Sequence, residues 1–192
     1  MRKILFLLAL IGLTACESAP AGYTPQPLSF SAVAPMKIDV SEVRIVENYQ
    51  PSTGAPNVDQ DFPNPPASAV KQWVKQRLSA VGSRGVLEVS IDDASVHEIK
   101  LPKTQGIKGL FTNDQDTRYE AKISVTMRLF NGEDAMSVAS GDVVIMRSRT
   151  IDEDATVDQR QKLFDSMTHE MMTSFDQQAV TRLKQYFAAY VK

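Results

Sequence analysis

Side chains able to do chemistry are scarce in this chain of 192 residues, which has two histidines, His97 and His169, and one cysteine, Cys16. A metal site needs three or four N, S or O ligands converging in space. Only His169-Glu170 offers an adjacent pair, and the stretch HEMMT lacks the second histidine that a zinc protease helix places four residues after the first. His169 therefore reads as a solvent-facing helical residue, and His97, near the end of a strand pattern, as an edge or loop position. The run Asp152-Glu153-Asp154 has carboxylates for calcium but neither the spacing nor the turn glycine of an EF-hand loop. It precedes a helix start, where negative charge is favourable. No G-x-S-x-G, Walker loop or dinucleotide fingerprint occurs, and GSRG at residues 82–85 reads as a helix-ending turn. The expectation is a protein that is not an enzyme and holds no metal or cofactor.

The cysteine has a different context. Arg2 and Lys3 precede an apolar run, Ile4 to Leu13, of about ten residues, against the roughly 20 needed to cross a bilayer. The run reads as a secretion signal. It ends in Leu13-Thr14-Ala15-Cys16, which resembles the lipobox of bacterial lipoprotein precursors. That resemblance implies cleavage before Cys16, with Leu13, Thr14 and Ala15 as the signal-peptidase motif, and covalent lipid, palmitate among its acyl chains, at Cys16. An ordinary secretory signal or an uncleaved anchor would leave it to accident that the lone cysteine falls here. One acyl chain binds a membrane only marginally, at about 0.8 kcal/mol per buried CH2. Lipoproteins of this type carry three. Glu17 follows the cysteine, where the enteric sorting rule uses Asp for inner-membrane retention, so the expected address is the outer membrane, facing the periplasm.

Cleavage at that point removes residues 1–15 and leaves 177, enough for one domain with a sizeable core. The removed signal contains Arg2 and Lys3 but no acid, so 19 basic and 23 acidic side chains remain, a net of −4. A nucleic-acid partner would call for a basic face and a high pI, and nothing in this balance resembles that footprint, so no nucleic-acid partner is expected. With Cys16 acylated no disulfide is available, and stability has to come from packing.

Positioning falls to the elements that follow. Residues 16–35 form a lipidated cysteine and a tether, with SAPAGYTPQP rich in Pro and Ala and without periodicity; a single domain occupies residues 36–192. In MKIDVSEVRIVE apolar residues alternate, with a parity change at Ser41-Glu42 that suggests a bulged strand. A long stretch with five prolines between Pro51 and Pro66 reads as a functional or mobile loop. A helix is expected with Asn64 as N-cap, Pro65 at its first position and Gly82 just past its end, and with Val70, Trp73, Val74, Leu78 and Val81 as its core stripe. Leu87 to Val96 is a second strand, out of phase after Asp92-Asp93, and Tyr119 to Leu129 alternates cleanly as a third. Asn131-Gly132 turns it into an antiparallel fourth, about Ser137 to Arg149. In that strand Val143 to Met146 are apolar in succession, so either both faces are covered or the outer one meets something else. Thr156 and Gln159 make a capping box for a last helix about 50 Å long if unbroken, whose far end would project or bend. The fold class is α+β: a two-layer sandwich in which a four-stranded, mostly antiparallel sheet carries two helices on one face.

One loop stands out. In LPKTQGIKGLFTNDQDTR, Gly106 and Gly109 bracket Ile107 and Lys108, followed by Leu110 and Phe111. These residues either cap the sheet or meet lipid headgroups or a partner. Ile107, Lys108, Leu110, Phe111, Val144 and Met146 are the candidate partner or lipid contacts.

The lipobox, the tether and the element order resemble small bacterial envelope lipoproteins. APNVDQDFPNPP, QGIKGLFTNDQ and VIMRSRTIDEDATV resemble an uncharacterised lipoprotein family of alphaproteobacteria. More remotely, the element order is similar to the lipoprotein of the lipopolysaccharide-assembly translocon and to auxiliary lipoproteins of ABC-type lipid transport. The resemblance implies a membrane-anchored, non-catalytic accessory or assembly module docking on an envelope protein complex. The alternative is a lipid-binding or auxiliary component of intermembrane lipid transport, with Met167, Met171 and Met172 lining an acyl-chain groove unless they simply fill the core.

Overall fold

The structure, a computed structural model, describes residues 22–102, 115–132 and 136–192. Among them are strands β1 (Met36–Ile38) and β2 (Glu42–Glu47), helix α1 (Pro66–Arg77), strands β3 (Leu78–Ala80), β4 (Val86–Asp93), β5 (Val96–Lys100), β6 (Gln115–Phe130) and β7 (Ala139–Asp152), and helix α2 (Val157–Tyr186). The α+β class and the mostly antiparallel sheet are as expected. The strand count is not: in place of four strands the described residues hold a five-stranded sheet and a separate two-stranded one.

β6 is the spine of the larger sheet. Its period-two pattern buries Thr117, Tyr119, Ala121, Ile123, Val125, Met127 and Leu129 on the inner face. β7 returns antiparallel along its length, Leu129 opposite Ala139 and Gln115 opposite Asp152. On the other side of β6, β4 and β5 share one lane, with Ile91 opposite Val125 and Val96 opposite Ala121. The phase slip at Asp92-Asp93 is the bulge expected there, a register shift against β6 between Ile91 and Asp93, and the chain leaves the sheet at Ala94-Ser95 before β5. There the Ser95 N–H donates to Asp93 Oδ1 at 3.0 Å, and the Lys122 N–H of β6 donates to the Ser95 carbonyl at 2.9 Å.

β2 lies parallel to β4 because α1 carries the chain back across the sheet. The parity change at Ser41-Glu42 separates two strands rather than marking a bulge, since β1 leaves the main sheet and pairs with β3. This pairing also shortens α1. The helix stops at Arg77, and Leu78–Ala80 extend beside Met36–Ile38 instead of completing the helical stripe to Val81, which is exposed. GSRG is accordingly a turn after β3, where a Cβ on Gly82 would lie 2.6 Å from the Asp39 carbonyl carbon and Gly85 takes a φ of 78°.

α2 follows the sequence closely. Thr156 Oγ1 accepts from the Gln159 N–H at 3.2 Å, and Gln159 Oε1 accepts from the Thr156 N–H at 2.7 Å. Its 30 residues span about 45 Å. The far end does not project: Leu183 and Phe187 are buried, a 3₁₀ turn at Ala188–Tyr190 follows, and Val191 bridges to Ile38. Aromatic contacts join the layers, with Trp73 of α1 edge-on to Phe175 of α2 at 5.0 Å, and Tyr119 of β6 edge-on to Phe164 at 4.8 Å. Met167, Met171 and Met172 are wholly buried in this core. The proline-rich segment is packed too, since Phe62 stacks on Phe164 at 4.2 Å and residues 56–58 run along the outer edge of β5.

Candidate docking surface and anchoring strap

Of the residues singled out by sequence, Leu13, Thr14, Ala15 and Cys16, and Ile107, Lys108, Leu110 and Phe111, lie outside the described residues. Val144 and Met146 lie within them. Both project from β7 on the face away from the helices, 43% and 62% exposed, while their neighbours Val143 and Ile145 point inward and are buried. The question of how four successive apolar residues are accommodated thus has a plain answer: alternation sends two into the core and two to the surface. Across the strand pair Val144 faces Ser124 and Met146 faces Lys122. A shallow depression of ≈ 500 Å³ beside Met146 is lined by Glu120, Ala121, Lys122, Arg147 and Ser148.

β7 is also an edge. β6 is its one strand neighbour among the described residues. Two arginines hold it to the helix layer: Arg147 donates to Ser174 Oγ at 2.6 Å and Arg149 to Glu170 at 2.5 Å. These anchors sit below the sheet and leave Val144 and Met146 clear above it.

The segment expected to be a tether makes specific bonds from Tyr23 onward. Asp165 of α2, 2% exposed, accepts from the Tyr23 hydroxyl at 2.6 Å, the Gln26 N–H at 2.9 Å and the Asn64 side-chain amide at 2.8 Å. His169 Nδ1 stands 3.5 Å from the same carboxylate. Burial alone would raise the Asp165 pKa, but these donors outweigh it and hold the carboxyl below its ordinary value. The chain then follows α1. Leu28 is buried and its carbonyl accepts from Gln72, the Phe30 N–H donates to Gln76 Oε1 at 2.7 Å, and Arg77 donates to the Ala34 carbonyl at 2.8 Å. Arg77 also meets Asp176 of α2 at 2.8 Å, an acceptor shared with Trp73 Nε1 at 2.7 Å. A groove of ≈ 330 Å³ runs between this strap and α2.

Asn64 is therefore not the N-cap that its position suggests, because its amide joins Asp165 and the Gln26 carbonyl while Pro65 occupies the cap. Nor is His169 purely solvent-facing, being half-buried against Asp165. Sequence reasoning passed over Asp165 itself. The available signal was an acid set in the apolar stripe of α2, between Phe164 and Met167.

No group of three or more His, Cys, Asp or Glu side chains among the described residues could hold a metal ion. His97 is exposed on β5, opposite Glu120. Tyr119 is pushed up to about 12, chiefly by burial and then by the Glu98 carboxylate, and Tyr49 to about 12 by burial and then Asp59. Both phenols stay protonated at neutral pH. A cleft of ≈ 590 Å³ at the opposite end of the molecule from the Asp165 latch is lined by Asp39, Arg84, Asn131 and Tyr190 among others, without a buried charged group.

No protein-family model matches the chain. No curated protein matches it either. Among solved structures it is similar to the rare lipoprotein B from Shewanella oneidensis, at 12% identity and a TM-score of 0.30, over 73% of this chain and 98% of that one. Likeness of that degree leaves the function to be argued from the chain's own residues.

Proposed function

We propose that this chain is a lipid-anchored protein of the bacterial cell envelope, a non-catalytic accessory or assembly module that docks on an envelope protein complex. Cys16 carries the anchor and Glu17 directs the protein to the periplasmic face of the outer membrane. The described residues contain no helix long and apolar enough to cross a membrane, and a covalent lipid supplies the attachment.

The observation that carries the docking half is β7. An edge strand of 14 residues with one strand neighbour presents backbone donors and acceptors to any extended segment beside it. Val144 and Met146, exposed on one face, give such a segment apolar contacts at every second residue. The occupant that fits is a strand from an envelope protein with apolar side chains at alternate positions. A photo-crosslinker at position 144 or 146 in cells is expected to trap one defined protein, and only scattered neighbours would count against the reading.

The lipid-binding alternative draws no support from its methionines. Met167, Met171 and Met172 have no exposed surface and form part of the core. The anchor is tested separately, by incorporation of labelled palmitate into the unmodified protein and its loss in Cys16→Ser.

A further inference from the structure

We infer that residues 23–34 are an orienting strap, which holds the end of the molecule bearing the α2 N-terminus against the lipid bilayer and makes the opposite end, with the Asp39–Arg84–Tyr190 cleft, the part that reaches away. The inference rests on the reading of Cys16 as the acylated residue. It adds a membrane-facing surface and the direction in which the docking edge points.

Three observations carry it. First, the strap is latched at one defined place: Tyr23 and Gln26 bond to Asp165, and a Cβ on Gly22 would lie 3.7 Å from Asp158 in the first turn of α2. Chain leaving Tyr23 toward Cys16 therefore departs from the α2 N-terminal end. Second, the strap runs from that end along α1 with contacts at Gln72, Gln76 and Arg77 before entering β1, so tension on the lipid anchor pulls on the latch and not on the core sheet. Third, lengths discriminate. Six residues separate Cys16 from Tyr23, and seven Cα steps reach at most about 25 Å. With the strap undocked, the 20 steps from Cys16 to Met36 would reach about 70 Å, longer than the roughly 45 Å of α2, and either end could then approach the bilayer.

The surface so presented carries Asp152, Glu153, Asp154 and Asp158 before and within the first turn of α2. Negative charge is repelled by anionic headgroups, so this end stands over the bilayer without inserting. β7 descends from the far end to this one, since Ala139 is opposite Leu129 and Asp152 opposite Gln115. Its open edge accordingly runs across the space between the bilayer and the far end, where a partner strand could align along the membrane normal.

The test uses the full lipidated chain in vesicles of phosphatidylethanolamine and phosphatidylglycerol containing a headgroup-labelled acceptor lipid. Because Cys16 is acylated, a single added thiol takes the donor dye, at Lys162→Cys near the start of α2 or Lys184→Cys near its end; both positions are exposed. Energy transfer severalfold greater from position 162 than from 184 is the expected result. Equal transfer from both, in a sample that has incorporated labelled palmitate, overturns the strap and leaves the anchor standing. A sample that takes up no palmitate overturns the anchor and the strap together. Tyr23→Phe combined with Asp165→Asn should erase the difference between the two sites. Should that variant not fold, inserting six Gly/Ser residues after Pro20 leaves the latch intact and should lower transfer from 162 toward the level at 184; an unchanged difference would contradict the inference.

Discussion

Asp165 shows how one side chain decides whether a segment is tether or structure. Three donors from two distant stretches of chain converge on a carboxylate that has almost no contact with water. Its folded-state pKa is below the ordinary value. The ionised carboxylate therefore favours folding at pH above the unfolded value of about 3.9, and that contribution is lost as the pH falls through the lower folded-state value. Asp165→Asn is expected to cost about 1–3 kcal/mol at neutral pH. The gap between variant and parent in urea unfolding should close in acid, where the parent's carboxyl is protonated as well, and an equal gap at both pH values would contradict the account. Gly85 makes a second case. Its φ of 78° is one that side-chain-bearing residues rarely adopt, and a Cβ there would lie 2.8 Å from the Phe130 carbonyl oxygen. Gly85→Ala should lower stability by more than about 1 kcal/mol in the same measurement.

At the scale of elements, the two helices depend on different things. α2 is capped by its own sequence, and Thr156→Ala should cost about 1 kcal/mol in thermal or urea unfolding. α1 has no side-chain cap. It is held from outside by the Asp176 carboxylate, which accepts from Trp73 Nε1 and Arg77 Nε, and by the strap. Asp176→Ala leaves a nearly buried guanidinium and an indole N–H without that acceptor, for an expected loss of about 2–3 kcal/mol. Much of the secondary structure was legible, and the reason is local. β6 alternates because one face is core and the other water, and α2 announces its start through a capping box three residues wide. The end of α1 was not legible. Leu78–Ala80 continue the helical stripe, and what makes them a strand is Met36–Ile38, some 40 residues earlier. A bulge is found at Asp92 but not at Ser41-Glu42, because a change of alternation looks alike whether a strand is kinked or ends.

For the whole molecule the proposed docking surface is the open side of β7. Val144→Lys combined with Met146→Lys changes only exposed side chains, so stability should move by no more than about 0.5 kcal/mol per site. Capture of the proposed partner by a crosslinker at the exposed Ser148 of the same strand should nevertheless fall severalfold, which separates a docking surface from a structural one. Retained capture with unaltered stability would remove β7 from the proposal.

Sequence alone determined what depends on neighbours in the chain: a basic pair before an apolar run that ends at the lone cysteine, an alternating spine strand, a capped last helix, and a small supply of histidine and cysteine. Each of these is set within a few residues by charge, hydropathy or hydrogen bonding along the backbone. Tertiary structure decided the rest. It packed part of a featureless proline-rich segment along α1, placed two of four consecutive apolar residues outside, and divided one alternating stretch between two sheets. Those outcomes depend on partners such as Asp165, 142 positions from Tyr23, and contacts at that separation leave no periodic trace in the residues that make them.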